Sequence, residues 1–411
     1  MFSNLRRLGT AGLALVGTVY AGSAMAEVKM AFVEALSGGA ASAGLLSQKT
    51  VQFFVDRINA AGGLNGEKIL LSSYDNKTSA QETLIALKKA IDDGNRYVFQ
   101  GNGSAFAYAI LDAVNKNNER NPGKEVVFLN FAAVDPPLTN EKCSFWHFRF
   151  DADVDMKMAA LTEAVKGDKN VKKIYLLNQD YSFGRSVAAA AEKMLKEKRP
   201  DIQIVGNEFV PLQKVQDFSP YVAKIKASGA NGVITGNWGN DMLLLIKAGK
   251  DAGYNGVWYT YYAGGLGAPP AIGEAGIGKV KQVSEWHKDV TPELDPAIAA
   301  FEKRFPGQEN EYGYWRIKTM MEMFAEAAKK AKSNDPIKVA GALEGLTMST
   351  ALGPVEMRAD NHQLLQPLFV STMSNKVKHP LQGTKIGFIT DRKVDAKATA
   401  VPTTCKMQRP S

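Results

Sequence analysis

The chain has 411 residues, 45% of them hydrophobic and 22% charged, the proportions of an ordinary soluble globular protein with room for two domains, or three. Its 37 Gly and 17 Pro follow no fixed period, which excludes collagen and disorder. The 50 Lys and Arg against 42 Asp and Glu leave +8, dispersed without a run of five like charges, so no nucleic-acid-binding tract is expected.

Residues 1–26 read as an export signal rather than as part of the fold. Arg6 and Arg7 are followed by an apolar run from Leu8 to about Tyr20, then by Ala24-Met25-Ala26, a small–x–small cleavage pattern. The run is shorter than the roughly 20 residues of a membrane span. Cleavage removes two arginines, starts the mature chain at Glu27 and places it in a bacterial periplasm. In that oxidising space Cys143 and Cys405, the chain's 2 cysteines, are expected to bridge; two free thiols are the other reading.

From Glu27 onward short apolar runs alternate with helical ones. Val28–Val33 reads as a strand, and Val51, Phe54, Val55 and Ile58 as a helix ended by Gly62-Gly63. Ile69–Tyr74 is the next strand. Ser79 with Glu82 forms a capping box for a helix whose face is Leu84, Leu87 and Ile91. Tyr97–Gln100 and Val126–Phe131 are strands flanking a helix marked by Phe106, Ile110 and Val114. The series resumes with strands at Ile174–Leu177, Ile202–Val210, Gly232–Thr235 and Val257–Tyr261. Helices lie between them: one near Gly184, one capped by Ser219 with Pro220 at its first position, and one through Met242–Ala248. A long helix over 313–332, another after Pro336, and strands near Val355 and Leu368–Thr372 complete the chain. This alternation predicts an α/β fold of parallel sheets with helices on both faces, in two similar lobes.

No nucleophile elbow, phosphate loop or H-E-x-x-H is present, and Gly101-Asn102-Gly103 lacks the third glycine of a dinucleotide fingerprint. The histidines at 147, 287, 362 and 379 have no metal-ligand spacing. No catalytic residue, metal site or cofactor is therefore expected. The informative segments follow strands, where open α/β sheets bind ligands. After Phe99 comes Gln100-Gly101-Asn102-Gly103-Ser104, small residues opening a helix whose N-terminus suits an anion, with Ser104 as its cap. The later loops carry Ala132-Ala133-Val134, Tyr181-Ser182-Phe183, Trp238 and Tyr259–Tyr262, enough aromatics for an apolar box with polar rims.

The order of these segments resembles the leucine/isoleucine/valine-binding protein family, the type I periplasmic binding proteins of ABC transporters. The matching stretches run from about 27 to 375. They are Ala35-Leu36-Ser37-Gly38-Gly39, the D-R-I-N-A-A-G-G-L-N-G of Asp56–Gly66, Tyr74-Asp75, Tyr97-Val98, Asp135-Pro136-Pro137-Leu138-Thr139, Asn178–Gly184 and Gly253-Tyr254. The resemblance implies two Rossmann-like lobes joined by a hinge of three crossings, with a ligand bound in the cleft and a membrane permease as partner. The implied division is residues 27–147 with 287–362 for lobe 1, 148–286 with 363–390 for lobe 2, and 391–411 for a C-terminal tail. The dispersed charge gives no reason to expect a nucleic-acid partner, and a monomer fits a protein that must visit a transporter.

Carried over residue by residue, the family's carboxylate-binding serine matches Ser104 and its backbone-binding position Ala132. A hydroxyl position holds Val134, and the ligand-facing tyrosine matches Phe183, with Tyr181 as a substitute. The next aromatic matches Trp238. The family's ammonium-binding acidic residue falls on Tyr261, which supplies no charge, although Asp180 or Asp241 could compensate. The expected ligand is therefore a small organic carboxylate or an amino-acid-like molecule, with aromatic and other non-amino-acid carboxylates preferred over leucine, captured for delivery to the importer's permease. A ligand-sensing receptor and an exported enzyme on the same fold are the alternatives.

Overall fold

The computed structural model describes Met1 and residues 27–265, 267–307, 313–381 and 383–410. The signal segment expected at 1–26 thus lies, Met1 apart, outside the described residues. The first series is β1 (Glu27–Glu34), α1 (Ala41–Ala60), β2 (Lys68–Asp75), α2 (Ala80–Asp92), β3 (Tyr97–Gln100), α3 (Ser104–Arg120), β4 (Val127–Asn130) and β5 (His147–Arg149). Its strands form a parallel sheet in the order β2-β1-β3-β4-β5. The second series is α4 (Val154–Gly167), β6 (Lys173–Gln179), α5 (Ser182–Lys198), β7 (Gln203–Val210), α6 (Ser219–Ala227), β8 (Gly232–Thr235), α7 (Gly239–Asp251), β9 (Val257–Thr260), α8 (Ala268–Ile272) and β10 (Val280–Ser284). Its parallel strands run β7-β6-β8-β9-β10, the same permutation as the first sheet.

The chain then returns to the first body through α9 (Pro296–Arg304), α10 (Tyr314–Ala331), α11 (Pro336–Leu343) and a small antiparallel sheet of β11 (Thr347–Thr350), β12 (Gly353–Met357) and β13 (Leu364–Leu365). Phe53 and Phe54 of α1 pack there on Phe301 and Tyr314, with ring centroids 5.4 and 5.8 Å apart. Finally β14 (Leu368–Ser374) and β15 (Gly387–Val394) extend the second sheet antiparallel from β10. The chain therefore passes between the bodies three times: after β5, after β10, and between β13 and β14.

The local reasons are visible in burial. Strands β3, β4 and β8 have every residue buried, as a sheet covered on both faces requires. Phe106, Ile110 and Val114, one turn apart, form the buried stripe of α3. Ser79 caps α2 by accepting the Glu82 N–H at 3.4 Å, as the capping box predicts. The expected α2 face is rotated, however: Thr83, Ala86, Leu87 and Ala90 are buried, while Leu84 stays 46% exposed. Ser219 is the first residue of α6 rather than its cap, because the Asp217 carboxylate takes the Ser219 N–H at 2.8 Å. The boundary expected at 391 falls inside β15, whose pairing with β14 continues to Leu368 opposite Val394.

Cys143 and Cys405 form the expected disulfide, with Cα atoms 5.7 Å apart. Cys143 lies in the loop before β5, so the tail that leaves the second sheet at β15 is fastened back onto the first body. Along the way the Val401 carbonyl accepts from Arg358 at 2.7 Å, Thr403 donates to the Thr139 carbonyl at 3.3 Å, and Arg409 pairs with Glu344 at 2.8 Å. Among the described residues no helix is long and apolar enough to cross a membrane.

Candidate functional site

Both sheets reverse their strand order at an equivalent place, between β1 and β3 and between β6 and β8. Ligands of open α/β sheets lodge at such switch points, outside the carboxyl ends of the strands. Here the two switch points meet across one cavity. The first body supplies Asn102, Gly103 and Ser104 from the β3–α3 loop and Ala132 and Val134 from the segment after β4. The second supplies Tyr181 and Phe183 after β6, Trp238 after β8 and Tyr262 after β9. All nine except Tyr181 are buried, so a ligand enters only if the bodies separate.

The β3–α3 loop is held from beneath. The Glu34 carboxylate at the end of β1 accepts the N–H groups of Gly101 and Asn102, both at 2.7 Å, and that of Ala35 at 3.2 Å. Complete burial pushes the Glu34 pKa up to about 7, against the lowering effect of those three bonds. Gly103 has φ 102° and is the N-cap of α3. Ser104 is therefore the first helical residue instead of the expected cap, and its Oγ accepts the Asp135 N–H at 3.3 Å. The Ala132 N–H is taken by Asn130 Oδ1 at 3.1 Å.

The aromatic side is equally fixed. Trp238 Nε1 donates to the Tyr181 hydroxyl at 2.8 Å, and the Trp238 carbonyl accepts from Gln179 and Gln213 at 3.2 and 2.7 Å. The Phe183 ring lies 5.7 Å from that of Tyr181 and 6.3 Å from that of Tyr262. Tyr261 does not line this cavity: it is buried and donates to the Val154 carbonyl at 2.9 Å, and its neighbour Tyr262 forms the wall. Neither expected acidic substitute reaches the cavity. Asp180 pairs with Arg185 on the surface, and Asp241 accepts from Gln179 and the Gln213 N–H at 2.7 and 2.8 Å.

Two further arrangements were not legible in the sequence. Asp135 receives Tyr108 from the first body at 2.9 Å and Ser186 of α5 at 2.6 Å, a hydrogen bond that joins the two bodies beside the cavity. At the hinge, Asp151 pairs with Lys157 of α4 at 2.8 Å and with Arg316 of α10 at 3.0 Å, and Arg316 reaches Glu285 at 3.2 Å. All four are buried. Burial pulls the Lys157 pKa below that of an ordinary lysine, and Asp151 opposes the shift. Among the described residues no cluster suited to a metal ion is found.

Two α/β bodies whose parallel strands share one order, a three-stranded hinge and a cavity between matching switch points define a two-lobed solute-binding protein. The sequence profile of the periplasmic binding protein family matches residues 27–378. The Leu/Ile/Val-binding protein homolog 4 of Brucella melitensis is 36% identical over 97% of both chains. Among solved structures, the closed leucine-, isoleucine-, valine-, threonine- and alanine-binding protein of Brucella ovis is 34% identical with TM-score 0.83, over 94% of this chain and 100% of that one. A solute-binding protein of an ABC transporter from Rhodopseudomonas palustris BisB5, in complex with 3,4-dihydroxybenzoic acid, has TM-score 0.77 at 18% identity, over 90% and 98%. The chain belongs to the periplasmic binding protein family, in its leucine/isoleucine/valine-binding branch, a family of binding proteins and not of enzymes.

Proposed function

We propose that the chain is exported, captures a small organic carboxylate between its lobes, closes over it and delivers it to the permease of an ABC importer. Ser104 and the start of α3 hold the carboxylate; Tyr181, Phe183, Trp238 and Tyr262 enclose the rest. The carrying observation is the composition of the cavity wall, four aromatics and no acidic side chain among its described residues. A buried α-ammonium without a carboxylate partner is costly, so aromatic and other non-amino-acid carboxylates are preferred over leucine. An aliphatic amino acid is the second reading, favoured by what the 36% and 34% identical relatives are named for.

Calorimetry of benzoate and 4-hydroxybenzoate against leucine and valine separates the two; tight leucine or valine binding without organic-acid binding overturns the preference. Ser104→Ala should weaken carboxylate binding by about tenfold or more, the scale of one hydrogen bond to a charged group. N-terminal sequencing of the secreted protein should begin at Glu27.

A further inference from the structure

Tyr262 lines a second cavity as well, on the side of the ring toward the hinge. Strand β10 supplies the uncharged polar side chains Gln282 and Ser284 to its wall. Gln282 and Ser284 are two residues apart on one strand and so share a face, which looks into the cavity. Gln282 is 2% exposed, yet its amide makes no hydrogen bond to any other described residue. The Ser284 Oγ is likewise buried without a partner. The Gln282 amide lies against the backbone at Gly264, where a Cβ would come 2.1 Å from Oε1, so glycine at 264 is what lets the amide occupy this place. A buried donor or acceptor left unpaired is costly, and native structures rarely tolerate one without a purpose.

We propose that this compartment receives the distal end of an elongated ligand, and that the end is an uncharged hydrogen-bonding group, an amide or a hydroxyl. The proposal rests on the carboxylate reading of the first compartment. Gln282 offers both a donor and an acceptor, and Ser284 a hydroxyl that can do either. A charged end is disfavoured because the described charges nearby are engaged with one another. Among the described residues, Glu285 and Arg316 in the wall are paired at 3.2 Å, and Arg316 and Lys157 share Asp151 behind them, two cations against two anions. Tyr262 then acts as the divider that sets ligand length: one compartment holds the carboxylate and an aromatic body, the other the polar end.

The test is calorimetry with benzoate, 4-carbamoylbenzoate, 4-(hydroxymethyl)benzoate and terephthalate. At least one of the two neutral extended probes should bind about tenfold more tightly than benzoate, the gain of roughly one well-made hydrogen bond in a dry site, and terephthalate should not share the gain. Gln282→Met should abolish the gain and leave benzoate affinity within about twofold; Ser284→Ala, a smaller change, should reduce the gain in the same selective way. Equal binding of benzoate and both neutral extended probes, or variants that weaken all four alike, overturns the second compartment while the carboxylate reading stands. Failure of all four to bind the native protein overturns the carboxylate reading and this one with it.

Discussion

Glu34 is a carboxylate buried directly beneath the loop that would hold a ligand's carboxylate. Its pKa of about 7 exceeds the 4.5 of an exposed glutamate because burial outweighs three backbone hydrogen bonds. A carboxyl whose pKa is higher in the folded chain than in the unfolded one favours folding while protonated. Its contribution is complete below about pH 4.5 and fades as pH rises through about 7. Relative to Glu34→Gln, the native protein should lose about 3 kcal/mol of stability between pH 4.5 and 8, from 1.36 kcal/mol per pKa unit. Urea unfolding of both proteins at the two pH values measures this, and a difference independent of pH would refute it. Arg316 behaves differently, because removing one member of a buried charge network strands the others. Arg316→Ala should cost about 3–5 kcal/mol, read as a lowered urea midpoint.

At the scale of elements, the aromatic side of the cavity depends on the first turn of α5. Gly184 sits where a Cβ would lie 1.9 Å from the Gln179 carbonyl oxygen, a backbone atom that cannot step aside. Gly184→Ala should therefore push the helix start away from β6 and cost about 3 kcal/mol, the upper end of overpacking penalties. Carrying Phe183 with it, the shift should also weaken ligand binding; thermal unfolding and calorimetry on one preparation give both readings. Helix α5 was legible as to place because Gly184 and the run before it match the family's motif. The register of the segment after β9 was not legible: Tyr259, Tyr261 and Tyr262 are equivalent as residue types, and only the packing of Tyr261 onto Val154 decides that Tyr262 faces the cavity.

At the scale of the whole molecule, the two bodies are held by the three hinge passages, by the Ser186–Asp135 hydrogen bond and by the tail. The Ser186 contact forms only when the bodies are together, so it stabilises the closed state selectively. Ser186→Ala should lower ligand affinity by about tenfold, the scale of a hydrogen bond to a charged acceptor, mainly through faster release; stopped-flow dissociation measures it. The disulfide closes a very long loop. Chain entropy gives it at most about 5 kcal/mol, which engineered cases often fall short of. Cys405→Ser should lower the urea midpoint and expose the segment after Thr399 to limited proteolysis.

The sequence by itself determined the alternation of strands and helices, because apolar period, caps and glycines act within a few residues. It also determined the family, through the Asp56–Gly66 stretch, and the loops that line the cavity, because each follows a strand whose apolar run is plain. It marked the two cysteines as partners, from their number and the expected compartment. Only the tertiary structure decided that Ser104 starts a helix it does not cap, that Tyr262 and not Tyr261 lines the first cavity, and that Asp180 and Asp241 are engaged elsewhere. The hinge network of Asp151, Lys157, Glu285 and Arg316 also had no local signature. Its members come from three separate places in the chain, Asp151 with Lys157, Glu285, and Arg316, and their charges are tolerable in the interior only because folding brings each beside its opposite.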